Sequence, residues 1–145
     1  MSSNILEVKD LSLFFPHRNN LQALKNLSFK VKKGETLGIV GESGSGISLT
    51  ALGIMQLLPN GAYLSSSSQI IYQNNNLLDF TEKEMRKVRG RKISLVFQEA
   101  LVALNPVLTI GNQLFEVIKR DKKYSKKEAY DKAVTLLDEV GIEKP

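Results

Sequence analysis

The stretch from Gly38 to Ile54, GIVGESGSGISLTALGI, has the residue types and spacing of a loop that binds phosphate. Gly41, Gly46 and Ser48 fit the pattern G-x-x-x-x-G-x-[ST]. Where such a loop opens a helix, main-chain N–H groups point inwards at the helix N-terminus and form an anion nest. The pattern predicts that the amides of Ser43 to Ser48 bind phosphate and that the Ser48 hydroxyl ligates Mg²⁺.

The seventh position of this glycine loop (residues 41–48) holds Ile47, where the phosphate-binding pattern has lysine. Backbone donors do not depend on this side chain, so we expect binding to survive. A hydrogen bond to a charged group contributes about 1.5–3 kcal/mol, so the missing ammonium lowers affinity roughly ten- to a hundredfold. Phosphoryl transfer suffers more, because the charge on the phosphates shifts during the reaction. We therefore expect binding without hydrolysis.

Two other interpretations of the glycines compete with phosphate binding. A dinucleotide-binding fingerprint that starts at Gly44 and Gly46 requires a third small residue where the sequence has Leu49, so its spacing fails. A strand-to-helix turn that needs glycine only for its backbone conformation remains open.

The elements that must position the loop follow from hydrophobic periodicity and from capping signals. A short apolar strand, buried on both faces, is predicted to lead into the loop, and a helix is predicted to lead out of it. Capping boxes at Thr81–Glu84 and Ser125–Glu128 predict two further helix starts. The predicted strands are Ile5–Val8, Leu11–Phe15, part of Ala23–Glu35, Thr36–Val40, Gln69–Tyr72 and Ile93–Phe97, and the other predicted helices are Ile47–Leu58 and Thr109–Lys119.

The composition is that of a globular protein with one core: 145 residues, 42% hydrophobic and 24% charged. With no cysteine and a single histidine, the chain has no disulfide, thiolate zinc site or paired-histidine metal site. The net charge of +5 permits an anionic partner. Two basic runs, residues 86–92 and 119–127, are interrupted by acidic or apolar residues and lack aromatic residues spaced for base stacking. We expect no nucleic-acid partner.

The first residues, MSSNILEVKD, lack the basic start and apolar centre of a signal peptide. The longest apolar runs, such as Leu101 to Leu104, are too short to cross a bilayer. We expect a cytoplasmic protein that could still dock on a membrane protein.

Four stretches together resemble the ATP-binding subunits of ABC transporters, and among these the branch that imports dipeptides, oligopeptides and nickel. They are LEVKDLSLFF, ALKNLSFKVKKGETLGIVGESGSG, ISLVFQEALVALNPVLTIGNQL and AVTLLDEVGIEKP, and the likeness extends over essentially all 145 residues. It implies an incomplete α/β fold of the P-loop NTPase type: N-terminal antiparallel strands, a Walker A strand–loop–helix, a Gln-loop strand and the start of the helical subdomain. Residues 1–98 would belong to the ATP-binding core (β subdomain plus P-loop), and residues 99–145 would begin the helical subdomain.

The resemblance assigns roles to individual residues. The glycine loop matches the family's Walker A loop, which binds ATP, and Ser48 matches its Mg²⁺ ligand. Gln98 matches the Q-loop glutamine, which contacts Mg²⁺ and the attacking water and relays closure to the membrane subunit. Phe15 lies where the family stacks an aromatic ring on adenine, although Phe14 could be that residue and either could be core. The nucleotide-binding set is Phe15, Gly41, Glu42, Ser43, Gly44, Ser45, Gly46, Ile47 and Ser48.

The resemblance also implies partners, a location and an activity. The partners are integral-membrane permease subunits, a second ATP-binding subunit and, indirectly, a substrate-binding protein. The location is peripheral, on the inner face of the plasma membrane. The activity is ATP hydrolysis that energises the uptake of peptides or similar small solutes.

Three features depart from the family's pattern. Ile47 replaces the Walker A lysine, and Ala100 stands where proline is usual. The family's signature, Walker B, D-loop and switch histidine come later in the family than the last residue of this chain. Since strands from that later part separate the Walker A and Gln-loop strands, we expect residues 36–40 and 93–97 to expose apolar edges, with marginal stability or association with another chain. We expect a catalytically inactive fragment of an importer subunit or, alternatively, a non-catalytic nucleotide- or partner-binding regulatory piece.

Overall fold

The computed structural model describes residues 4–97, 104–120 and 123–143. The chain forms two compact units, Met1–Leu95 and Val96–Pro145. Two residues of the sequence analysis lie outside the described residues: Gln98, which is predicted to be catalytic, and Ala100, which stands where the family usually has proline. The division into an ATP-binding core and a helical subdomain at residue 98 stays a prediction.

An antiparallel sheet is the centre of the first unit. Its long strands, β1 (Asn4–Phe15) and β2 (Leu21–Lys32), pair from one end to the other. On the other side of β1 lie β4 (Gln69–Tyr72) and then β5 (Asn75–Asn76), while the short β3 (Tyr63–Leu64) pairs with Leu13 and Phe14. The two strands predicted within residues 5–15 are therefore one strand.

The strands carry the alternation that buries one side of a sheet. In β2, Leu27, Phe29 and Val31 are half-buried while the residues between them are exposed, as their period of two predicts. These strands, a 3₁₀ turn (Leu77–Asp79) and a helix contribute the buried hydrophobic cluster of the unit. Its members are Val8, Leu11, Leu13, Leu24, Ile70, Leu77, Met85 and Val88.

Four α-helices complete the described residues. In the first unit, α1 (Ile47–Ile54) follows the glycine loop and α2 (Glu82–Val88) follows the 3₁₀ turn. In the second unit, α3 (Ile110–Lys119) and α4 (Lys126–Glu139) enclose an apolar groove of about 660 Å³. Both predicted capping boxes are confirmed, because the side chains of Thr81 and Ser125 accept from the N3 amide while the N3 glutamate accepts from the cap amide.

Helix α1 ends earlier than the predicted Leu58. Gln56 adopts a left-handed conformation with φ +50°, and the Leu57 amide donates to the Leu52 carbonyl at 2.9 Å. This is the hydrogen-bond pattern of a Schellman motif, which usually has glycine at the left-handed position. The predicted end of the helix was wrong because glutamine gives no sequence signal for such a stop.

Two predicted strands do not form in the described part of the chain. Residues 36–40 and 94–97 pair with no other described segment, and Ile93 makes only an isolated bridge with Arg89. Val40 is 95% exposed and Phe97 50% exposed. The predictions of a doubly buried strand before the loop and of a Gln-loop strand are therefore wrong for this structure, because a strand exists only where a neighbour takes up its hydrogen bonds. The expected apolar exposure is present, and marginal stability or association remains a prediction.

The two capping boxes should make the helices sensitive to acid. The side-chain hydrogen bond from the cap hydroxyl, Thr81 in one box and Ser125 in the other, is the main cause that lowers the pKa of Glu84 and of Glu128 below the ordinary value of 4.5. A lowered folded-state pKa contributes stability that is complete above the unfolded-state value and is lost as pH falls through the folded-state value. Helical circular dichroism of the wild type should therefore decline as pH falls below about 4.5.

The double variant Glu84→Gln with Glu128→Gln is the matched control, because glutamine still accepts from the cap amide but does not titrate. Its helical signal should change less over the same pH range. Identical acid profiles for the two proteins would contradict the prediction.

Candidate functional site

The glycine loop turns sharply between residue 40 and the start of α1. Gly44 and Gly46 have φ +84° and +94°, in the left-handed region that glycine adopts without a steric cost. The Ser45 amide donates to the Glu42 carbonyl at 3.0 Å, which closes the turn. Gly46 is the N-cap of α1, and its carbonyl accepts from both the amide and the hydroxyl of Thr50, at 2.8 and 3.0 Å.

Close packing also restricts the residue type at Gly46 and, less strictly, at Gly41. A Cβ atom on Gly46 would lie 2.4 Å from Leu24 Cδ2 and 3.3 Å from the Ala23 carbonyl oxygen of β2. A Cβ atom on Gly41 would lie 2.5 Å from Ser45 Oγ. Backbone conformation and space therefore both select glycine at Gly46, which fixes the loop against the sheet.

The main-chain donors of the loop are largely unused. Of the amides from Ser43 to Ser48, only that of Ser45 donates to another described residue. Gly46 has no side chain to cap the helix, and the first turn of α1 contains no acidic residue. The open amides therefore lie at the positive end of the helix dipole, an arrangement that suits an anion. The Ser45 amide is engaged inside the loop, so the predicted nest lacks this donor in the present conformation.

The loop has no cationic side chain that could add to the nest. Ile47 is 39% exposed, and its Cδ1 lies 3.4 Å from the place of a Cβ on Gly41, so it folds back over the loop. Ser48 is exposed in the first turn of α1. Among the described residues no three His, Asp or Glu side chains come together as a metal site. A Mg²⁺ ion at Ser48 would therefore need phosphate and water oxygens as further ligands, which is common for this ion.

The two aromatic candidates for adenine differ in their surroundings. The Phe14 ring stacks on Tyr63, with ring centroids 5.4 Å apart. Phe15 is half-buried beside the core, and the Arg18 guanidinium carbon lies 5.7 Å from its ring centroid. Phe15 also lines a small cleft of about 150 Å³. Since Phe14 already has a ring partner, Phe15 is the better candidate of the two.

Phe15 belongs to the same part of the sheet as the glycine loop. Leu13, two residues earlier in β1, pairs with Leu24 of β2, and Leu24 is the side chain that packs on Gly46. Phe15 is two residues beyond Leu13 in the same strand, a separation of about 7 Å. The Phe15 ring and the glycine loop therefore lie near the same end of the sheet.

Arg89 contacts the other end of α1, and its position within a basic run gives no sign of this role in the sequence. Its Nε and one terminal nitrogen donate to the carbonyls of Met55 and Gln56, and the other terminal nitrogen donates to both carboxylate oxygens of Glu82. The hydrogen bonds of Arg89 and, second, of Arg86 lower the pKa of the Glu82 carboxyl. A basic run interrupted by acidic residues gives no signal for such a specific contact.

Gly46→Ala should destabilise the first unit more than Gly44→Ala does. Both substitutions force alanine into a left-handed conformation, at a cost of roughly 1–2 kcal/mol, but a Cβ on Gly44 meets nothing within 4 Å whereas one on Gly46 meets Leu24. We expect the free energy of unfolding to fall by about 1 kcal/mol more in Gly46→Ala. Urea denaturation monitored by amide hydrogen exchange of the β1 residues measures both values. Equal losses would show that Leu24 does not hold the loop.

Comparison with known proteins assigns the chain to a family. The family model described as ABC transporter matches residues 24–144. The chain belongs to the ABC transporter family, and the predicted ABC ATPase fold, of the P-loop NTPase type and present in part, is confirmed. Proteins with this ATP-binding domain bind nucleotide. Among the described residues, no helix is long and apolar enough to cross a membrane.

Two similar relatives are ATP-binding proteins of peptide transport systems. The oligopeptide transport ATP-binding protein OppD of Bacillus subtilis is 42% identical over 144 residues, which are 99% of this chain and 40% of OppD. The probable D,D-dipeptide transport ATP-binding protein DdpD of Escherichia coli is 42% identical over 98% of this chain and 44% of its own length. The chain thus spans less than half the length of these relatives.

A solved structure with the same fold is the ATP-binding cassette MJ0796, determined as a dimer in a post-hydrolysis state bound to ADP and Pi. It superposes with a TM-score of 0.76 and 23% identity, over 96% of this chain and 58% of the other.

Proposed function

We propose that this chain is the nucleotide-binding part of an ATP-binding subunit that energises an ABC importer of peptides or similar small solutes. The observation that carries the proposal is the glycine loop with its open amides at the uncapped N-terminus of α1. Family membership and the peptide-transport relatives support it.

The ligand we propose for the loop is ATP with Mg²⁺. The amides of Gly46, Ile47 and Ser48 bind phosphate oxygens, and the Ser48 hydroxyl contributes to the Mg²⁺ site together with phosphate and water oxygens. Phe15 stacks on the adenine ring, and Gln98 is the catalytic and Mg²⁺-contacting glutamine. The loop in full, Gly41, Glu42, Ser43, Gly44, Ser45, Gly46, Ile47 and Ser48, surrounds the phosphates.

We propose that the chain binds ATP but does not hydrolyse it. Ile47 offers no ammonium for the charge that develops on the phosphates, and backbone donors alone replace only part of that stabilisation. The partners of this function are permease subunits, a second ATP-binding subunit and, through them, a substrate-binding protein. The location we propose is peripheral, on the inner face of the plasma membrane.

A second candidate function is that of a non-catalytic piece that binds nucleotide or a protein partner. Two observations favour it: the aliphatic residue at the lysine position, and the apolar exposure of residues 36–40, where Leu37, Ile39 and Val40 are 39%, 41% and 95% exposed. The two candidates share the nucleotide site and differ in whether the variant Ile47→Lys gains ATP turnover with a complete partner subunit.

Titration of the chain with fluorescent N-methylanthraniloyl-ATP and Mg²⁺ tests the proposal. We expect saturable binding that unlabelled ATP reverses and that adenosine, which has no phosphate, reverses poorly. The Gly46→Ala variant is the control for the loop, and its affinity should fall because the nest is distorted. Absence of binding to both the wild type and Ile47→Lys would leave the glycines as a turn that only leads into α1, and would refute the nucleotide site.

A further inference from the structure

Arg89 fastens the C-terminal end of α1 to α2. It is the C-cap of α2, and its side chain is 16% exposed. Its Nε lies 2.7 Å from the Met55 carbonyl oxygen, and a terminal nitrogen lies 3.1 Å from the Gln56 carbonyl oxygen. The other terminal nitrogen donates to both oxygens of Glu82 at 2.9 Å each.

The position of the guanidinium suits the end of a helix. Met55 is the C-cap of α1, so the carbonyls that Arg89 binds lie at the negative end of the helix dipole, where a cation is stabilising. A guanidinium is planar, permanently charged and presents its donors in a fixed fork. Arg89 therefore constrains both the position and the orientation of the C-terminal end of α1. Glu82 in turn holds the guanidinium in place.

The polar contacts of α1 with the rest of its unit are concentrated at this end. The side-chain amide of Gln56 donates to the Leu77 carbonyl beside the Arg89 contacts. At the opposite end the helix begins at Gly46 without a side-chain cap. An eight-residue helix is about 12 Å long and moves as one body, so a tilt at Met55 displaces the amides at Ile47 and Ser48.

We infer that Arg89 is a positioning residue for the phosphate nest: by holding the C-terminus of α1 against α2, it orients the N-terminal amides of the same helix toward the nucleotide. The inference rests on the proposed nucleotide binding at residues 41–48. Arg89 acts through the helix and does not contact the nucleotide.

Arg86 provides a matched control on the same helix. Its Nε also bonds to Glu82, at 3.2 Å, but its side chain is 73% exposed, and none of its hydrogen bonds within the described residues goes to α1. Arg86→Ala therefore removes one positive charge and a hydrogen bond to Glu82, as an Arg89 substitution does. It leaves the hydrogen bonds between Arg89 and the end of α1 in place. Arg89→Lys keeps the charge, but a single ammonium does not reproduce the fork that reaches Met55, Gln56 and Glu82 together.

The test measures nucleotide affinity and amide hydrogen exchange on Arg89→Ala, Arg89→Lys, Arg86→Ala and the wild type, at a temperature where circular dichroism shows all four folded. We expect the dissociation constant of N-methylanthraniloyl-ATP with Mg²⁺ to rise roughly tenfold in both Arg89 variants, the equivalent of one lost charged hydrogen bond. Arg86→Ala should stay within about twofold of the wild type. Exchange of the Thr50 and Met55 amides, which donate to the Gly46 and Ala51 carbonyls, should accelerate only in the Arg89 variants.

The outcomes separate the two proposals. If Arg89→Ala and Arg89→Lys melt at a lower temperature yet bind nucleotide like Arg86→Ala, the role of Arg89 is structural only and the inference is overturned. If neither the wild type nor Ile47→Lys binds nucleotide, the proposed function fails. The exchange of the Thr50 and Met55 amides then decides the helix contact: acceleration in the Arg89 variants supports positioning of α1, and unchanged exchange refutes it.

Discussion

Ile47→Lys is expected to tighten ATP binding roughly ten- to a hundredfold, because it adds a charge-assisted contact of about 1.5–3 kcal/mol to a nest that already has its backbone donors. The side chain of residue 47 starts from the first turn of α1 and is 39% exposed, so an ammonium at this position has room to reach phosphate. The gain should shrink as the salt concentration rises, because the added interaction is electrostatic and the site is partly exposed to solvent. Titration with fluorescent ATP at two ionic strengths measures both effects.

Ile47→Met is the control for this substitution. Methionine is unbranched like lysine and fills similar space but carries no charge, so a gain seen only with lysine isolates the ammonium. Equal affinities for Ile47→Lys and Ile47→Met would mean that phosphates do not lie near residue 47. Turnover is expected only when the lysine variant meets a complete partner subunit, which separates restored binding from restored chemistry.

Leu11→Ala is expected to cost the first unit about 2–5 kcal/mol of unfolding free energy, through lost burial and the cavity that remains. Leu11 is fully buried in β1, and its two methyl carbons lie 3.8 and 3.9 Å from the place of a Cβ on Gly53 of α1. The cavity would therefore open directly beneath the helix that carries the glycine loop. Since a loss of this size is a large part of the stability of a typical domain, we expect nucleotide binding to weaken with it.

Leu21→Ala is the comparison for the core variant. Leu21 belongs to β2 but is 50% exposed, so its truncation should cost less than about 1 kcal/mol. Amide hydrogen exchange of β1 and α1 in both variants, followed through urea, reports the stability of this unit separately from α3 and α4. A similar small loss in both variants would show that Leu11 does not support α1.

Local patterns in the sequence determined much of this protein. The two capping boxes need only a hydroxyl and a glutamate three residues apart, and both form as the sequence predicts. The alternation in β2 and the start of α1 after Gly46 likewise depend on neighbours within one or two turns of chain. The resemblance to the ABC ATP-binding subunits, which rests on ordered motifs, identified the family and the fold.

Contacts between distant residues decided the rest. Whether residues 36–40 and 93–97 become strands depends on segments that must lie beside them, and their own apolar side chains do not provide those neighbours. The stacking of Phe14 on Tyr63 likewise joins residues far apart in the sequence, and no local pattern predicts it. The hydrogen bonds from Arg89 to the end of α1 join residues more than thirty positions apart. Periodicity records what a residue prefers locally, whereas pairing and side-chain partners are set only when the chain has folded back on itself.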